Sequence, residues 1–311
     1  MATAAPIALI VFNRPDHTQR VLEALKANKM ADQTILHIFA DGSRGSKDDA
    51  GVQKVRELIR KADGFKEVVL HESPVNKGCS VSVLSSIEYV LTLSDRCIVV
   101  EDDILTAPNF LEYMNAALEY YQNCETIFSI GAYRSEFKMP SSYTEEVYLL
   151  SRSCAWGWGT WKRAWDKISV DPQAIKQDLS NPQIRKAFAE HGEDWLRTFD
   201  EDPEIWDLRV SYGIWKSGMA TVMPAQSYTQ NIGRDGSGLH YHGEALKTTQ
   251  TTQFPASLPR FVPLNSIDEN VRKAFKRFSH KPLWRVYSTQ IAKKLGIYKL
   301  LLTQWEKLGL S

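Results

Sequence analysis

Apolar and polar positions alternate along the first 130 residues in two recurring patterns. Short runs of β-branched and aliphatic residues are separated by longer stretches whose apolar residues fall three and four apart. Residues 7–12 (IALIVF) form the first run and read as a buried strand. Asn13-Arg14-Pro15 closes it, and a helix follows to about Lys26 with proline in its first turn, where the missing N–H costs nothing. Residues 34–40 predict a second strand ending at Asp41-Gly42, and residues 48–61 a helix with Val52, Val55, Leu58 and Ile59 on one face. A third strand is expected over 67–71, after which Asn76-Lys77-Gly78 turns into a helix running to about Leu93. Cys97-Ile98-Val99-Val100 reads as a fourth strand, and residues 109–121 as the next helix. Strands alternating with helices at this spacing predict an α/β, Rossmann-like sheet, mostly parallel, with right-handed crossovers and flanking helices. The second half is less regular, with strands expected over 126–131, 147–150 and 220–223 and a helix over 208–216.

Four of the predicted strands end in polar residues: Asn13-Arg14, Asp41-Gly42, Asn76-Lys77 and Glu101-Asp102-Asp103. In a parallel sheet these ends converge on one edge, where open α/β sheets bind their ligands. Three acids at the end of a buried strand are costly unless a cation or ligand holds them there. Hard carboxylate oxygens suit Mg²⁺ or Mn²⁺, which keep several waters and take further ligands from substrate phosphates. The pattern predicts a metal-dependent enzyme acting on a nucleotide diphosphate. The plainer alternative is an acidic loop that caps the helix starting near Pro108.

Further candidates each carry two readings. Residues 231–243 are rich in glycine and histidine and lack periodicity, as an active-site lid does. With Arg234, His240 and His242 the segment could close over a diphosphate, or it could be an ordinary surface loop. Trp156 and Trp158, interleaved with Gly157 and Gly159, and Trp206 further on could line a sugar pocket or pack the core. Asp207 reads by default as the acid of a solvated helix start. His17, His37, His71 and His191 lack metal-ligand spacing and read as surface or structural histidines.

The chain has 311 residues, 38 Lys and Arg, 37 Asp and Glu, and a formal net charge of +1. Ten of the basic residues and one of the acids lie from Val271 on, so the preceding body is acidic and offers nucleic acid no surface. In that basic tail Ile291, Leu295, Tyr298, Leu302 and Trp305 form an apolar helical stripe with Lys293, Lys294, Lys299 and Lys307 largely off it. Such a helix suits a membrane surface, its own domain, or a second subunit. Cys79, Cys97, Cys124 and Cys154 show no metal spacing, which is reduced, cytosolic usage. No signal peptide and no run of about 20 apolar residues is evident, so the expected location is cytoplasmic, with peripheral attachment to the inner membrane face through the tail.

Several of these segments resemble the metal-dependent GT-A glycosyltransferases. Val11-Phe12-Asn13-Arg14, Asp41-Gly42 and residues 97–110 (CIVVEDDILTAPNF) are similar to N-acetylglucosaminyltransferase I and its O-mannose-glycan relatives. Residues 154–165 (CAWGWGTWKRAW) and the later NIGRDGSGLH segment are similar to bacterial sugar transferases of the same fold. The resemblance implies a GT-A sheet divided into a nucleotide-sugar half (1–125), an acceptor-binding and catalytic half (126–262) and the basic helical tail (263–311). It implies that Asp103 coordinates Mn²⁺ or Mg²⁺, with His240 a candidate further ligand. Glu101 and Asp102 would contact the ribose or donor sugar, Asp41 the uracil, and Arg14 the base or phosphates. Asn13, Lys77 and Arg234 would complete the donor site. Asp207 would be the general base of an inverting transfer from a UDP-sugar to a glycan or lipid-linked oligosaccharide, in bacterial surface polysaccharide synthesis. Ser80 stands where the animal enzymes carry a histidine near the base, and Asn76-Lys77-Gly78 is the expected substitute. Two other functions fit parts of the pattern. A sugar nucleotidyltransferase usually has a glycine-rich basic loop after the first strand, which Phe12-Asn13-Arg14-Pro15 is not. A carbohydrate-binding protein without catalysis would leave the acidic triad unused.

Overall fold

The computed structural model describes residues 3–233 and 253–279. The β-branched runs fold as expected into β1 (Ile7–Val11), β2 (Ile35–Ala40), β3 (Glu67–Glu72) and β4 (Arg96–Glu101). These pair in parallel in the order β3-β2-β1-β4. All five residues of β1 and the four central residues of β4 are buried, which explains why both are continuous apolar runs without alternation. The crossovers are α1 (Pro15–Lys26), α2 (Ser46–Ile59) and α3 (Cys79–Leu93), and α4 (Phe110–Tyr120) follows the acidic triad. Pro15 opens α1, and Gly78, at a φ of 80°, makes the left-handed turn into α3.

Beyond β4 the sheet continues as β8-β6-β9-β7, made of β8 (Trp158–Trp161), β6 (Ile127–Gly131), β9 (Ala220–Pro224) and β7 (Val147–Leu150). β6 and β9 are parallel, whereas β8 runs antiparallel to both β4 and β6, and β7 antiparallel to β9. The result is an eight-stranded mixed α/β sheet flanked by helices, the fold class expected from the sequence. One sheet and one hydrophobic core run across position 125, because β4 pairs directly with β8. A separate ribbon joins β5 (Ile104–Thr106) to β10 (Thr229–Asn231), an antiparallel pairing too short for periodicity to reveal.

The aromatic block corrects a sequence expectation. Trp158 and Trp161 lie on a central strand, and Trp158 is fully buried against Phe128, Trp165 and Trp206. Trp206 is itself buried, with its ring 6.0 Å from that of Trp158 and nearly parallel to it. Both are core residues and cannot line an open sugar pocket. Gly159 is needed because a side chain there would press on Met114 and the Cys97 carbonyl across the strand pair.

Between β8 and β9 the chain folds into α5 (Lys162–Trp165), α6 (Pro172–Leu179), α7 (Pro182–Glu201) and α8 (Trp206–Lys216), the last of them the helix expected over 208–216. Asp171 and Asn181 cap α6 and α7, each accepting from two backbone N–H groups, and proline occupies the first turn of both. In the tail, α9 (Glu269–Ser279) buries Val271 and Phe275 against a second cluster that includes Phe137 and Tyr148. The apolar stripe from Ile291 to Trp305 lies outside the described residues. No helix among those described is long and apolar enough to cross a membrane.

Candidate active site

The carboxyl ends of β1 to β4 bring the predicted polar residues to one edge. Each side chain there is committed differently. Asp41, buried at the end of β2, accepts from the backbone N–H of Gly42 (2.8 Å), Lys77 (2.8 and 3.1 Å) and Gly78 (3.0 Å), and from the Asn76 side-chain amide (3.0 Å). Its carboxylate therefore moulds the turn between β3 and α3. Gly42 lies so close to the Val75–Asn76 peptide that no side chain fits between them. Asn13 donates to Asp48 at 2.6 Å, and Asp48 is held below the usual carboxylate range by Arg44, then by Asn13. Arg44 in turn lies 4.9 Å over the Phe12 ring. In this state the Asn13 amide fastens α2 to the end of β1.

Arg14 reaches across the strand ends to the triad. Its guanidinium pairs with both oxygens of Asp102 and with Asp103 Oδ2 at 3.2 Å. Burial opposes the charge on Arg14, but Asp102 and Asp103 outweigh it and hold the group firmly protonated. Asp102 is buried, and burial raises it despite the stabilising Arg14 charge. Glu101 is raised well above the usual carboxylate value, first by burial and then by Asp103, Asp102 and Asp207. The charge of Asp207, in the first turn of α8, contributes to the shifts of both Glu101 and Cys79, so this acid lies in the neighbourhood of the triad. Its backbone is tied down by Ser153, whose hydroxyl donates to the Asp207 carbonyl at 3.1 Å and lies 2.7 Å from the Ser211 hydroxyl. The fold thus unites two acidic sites separated by about a third of the chain.

Three further residues, of which only Gly233 belongs to a segment singled out in the sequence, complete the surroundings. Cys79, at the start of α3, lies 4.0 Å from Glu101, and burial followed by the surrounding acids pushes its thiol up. It is a neutral neighbour of the cluster, and only its place after the Asn76-Lys77-Gly78 turn hinted at this. Gly233 packs on Asp103: a side chain there would lie 2.9 Å from Asp103 Cγ and 3.1 Å from Arg14 Nη1. The Ile232 N–H also donates to the Asp103 carbonyl at 2.8 Å. The third is Ser153, a residue type with no pattern to betray it. Arg234 and His240 lie outside the described residues, though the chain leading to them ends against Asp103. Trp156 is partly buried, with its ring 4.3 Å from that of Tyr133 in an edge-on contact. Lys77 is exposed beside the turn that Asp41 holds.

Among the described residues no three His, Cys, Asp or Glu side chains lie close enough to hold a metal ion by themselves. The donor set nonetheless fits a hard divalent ion bound by one carboxylate, with phosphate oxygens and water completing its shell. Of the two aspartates Asp103 is the more accessible, its side chain 18% exposed against 6% for Asp102.

No family model matches the chain. Solved structures with partial similarity include mannosyltransferase PcManGT from Pyrobaculum calidifontis in complex with GDP-Man and Mn²⁺, which is 14% identical over 42% of this chain and 35% of that one, with a TM-score of 0.30. S. aureus TarS is 12% identical over 46% of this chain and 24% of its own, with a TM-score of 0.31. For TarS 1–349 the values are 10%, 72%, 59% and 0.39. In each case the match spans less than two thirds of the solved chain. Similarities of this size leave the chemistry to be argued from the site itself.

Proposed function

We propose that this protein is a metal-dependent inverting glycosyltransferase that moves a sugar from a UDP-sugar, of the UDP-N-acetylglucosamine kind, to a hydroxyl of a glycan or lipid-linked oligosaccharide. A role in bacterial surface polysaccharide synthesis belongs to the same proposal. The observation that carries it is the meeting of two distinct acidic sites, Glu101-Asp102-Asp103 at the end of β4 and Asp207 on α8. Glycosyl transfer needs both. One must neutralise the diphosphate leaving group, and the other must accept a proton.

Asp103 would hold the divalent ion, which when bound supplies positive charge to the departing diphosphate. The turn moulded by Asp41 would receive the base through its backbone, with Lys77 beside the phosphates. Arg14 would bind phosphate oxygens. The carboxylate of Asp207 would take the acceptor hydroxyl's proton as the new bond from that oxygen to the anomeric carbon forms. The bond from the anomeric carbon to the diphosphate oxygen breaks on the opposite side, its electrons leaving with the nucleoside diphosphate. Attack opposite the leaving group inverts the anomeric centre. Trp156 and Arg234 would border the acceptor and donor, respectively.

The test is Asp207→Asn assayed beside wild type with a panel of UDP-sugars. A positioned base is worth about 10²–10⁴-fold in turnover, and nucleotide affinity should stay within a few-fold. Unchanged turnover would remove Asp207 from the mechanism and the inverting assignment with it.

A further inference from the structure

The acidic cluster already contains a cation, and it is Arg14. The guanidinium spans Asp102 and Asp103, so the last acid of the triad shares one oxygen with a positive group 3.2 Å away. The backbone of Gly233 packs against both that carboxylate and Arg14. An ion taking up Asp103 would therefore sit within a few ångströms of a fixed guanidinium, and like charges at that range repel strongly in a half-buried site.

We infer that Arg14 is the resident counter-cation of the cluster and must release Asp103 before a divalent ion can bind there. The released guanidinium needs a new anionic partner, and a nucleoside diphosphate supplies one in the same crevice. Arg14 is thus a positioning residue that couples metal affinity to nucleotide. The metal binds weakly alone and tightly once the diphosphate has drawn Arg14 away, since two ligands that favour one arrangement raise each other's affinity equally. A site of this kind would not load with metal ahead of its donor. The inference rests on the metal-dependent nucleotide-sugar reading above, but it concerns a free-protein equilibrium that needs no turnover.

Mn²⁺ binding to the full chain can be followed by loss of the free-ion electron paramagnetic resonance signal, first without nucleotide and then with UDP. Arg14→Ala, and the better-packing neutral variant Arg14→Gln, should bind Mn²⁺ alone about tenfold or more tightly than wild type. UDP should tighten Mn²⁺ binding in every form, because its phosphate oxygens join the ion's shell, but by a clearly larger factor in wild type than in either variant. Mn²⁺ should also raise the melting temperature of the variants more than that of wild type, because the ion then fills the role of the lost guanidinium. Neutral variants that fold but bind Mn²⁺ no more tightly than wild type would overturn the inference while leaving the metal site intact. If no form takes up Mn²⁺ even with UDP, the metal-dependent reading falls, and the inference with it.

Discussion

Asp41 and Trp158 show how far a residue's place can depart from what its type suggests. The resemblance puts Asp41 at the uracil; in the structure its two oxygens accept from N–H groups of residues 42 and 76–78. A buried carboxylate accepting that many donors defines the shape of a loop. Asp41→Asn replaces an acceptor by a donor facing other donors. It should cost about 1–3 kcal/mol in urea melts and weaken UDP binding at the same time; a stable variant with normal affinity would contradict the loop-moulding role. Trp158 makes the opposite point. Trp158→Ala removes a fully buried indole from the centre of the sheet and should cost about 3–5 kcal/mol. Trp156→Ala, at the core's margin, should cost far less and act mainly on acceptor KM. Equal losses of stability from the two substitutions would place both rings in the core.

At the scale of elements, the first four strands and their helices were legible because each is a full-length periodic unit. β1 and β4 are buried on both faces and so appear as unbroken apolar runs. β8 was missed for a physical reason: Trp-Gly-Thr-Trp has no apolar alternation, and its place in the sheet is set by partners far away in sequence, β4 and β6. The three-residue strands β5 and β10 have too few residues to carry a period. In the site, the acidic triad was visible because three acids after a buried strand are anomalous. Ser153 was invisible because its importance lies in what it touches. The β2–β3 edge carries its own prediction. His37 Nδ1 lies 3.2 Å from His71 Nε2, with Phe39 stacked on His71 and Tyr89 edge-on to it. Burial holds both histidines below 6.5, and for His37 the neighbouring His71 adds to the effect. The unfolded chain therefore binds protons more readily below that value, and stability should fall as the pH drops through and below 6.5. His191 shifts in the same direction, so the informative comparison is His37→Asn/His71→Phe against wild type. In urea melts at about pH 7.5 and about pH 5.5, the double variant should lose less stability on acidification; an identical loss would assign the effect elsewhere.

For the whole molecule, the charge asymmetry and the packing of α9 separate two parts of the tail. Val271 and Phe275 belong to a buried cluster, so α9 is integral to the fold. Residues 280–311 carry six of the tail's ten basic side chains, and they are the ones proposed to meet an anionic membrane. Flotation with anionic vesicles should carry the full chain upward and leave a 1–279 form behind, with the difference lost at high salt. Co-flotation of both forms would remove the tail from membrane attachment. The central claim concerns the sheet edge, where Arg14 meets Asp103 and Asp207 lies nearby. Calorimetric titration of UDP, with and without Mn²⁺, into wild type and Asp103→Ala tests it most directly. The account predicts manganese-dependent binding in wild type that disappears in Asp103→Ala; UDP binding that is indifferent to both the ion and the substitution would contradict it.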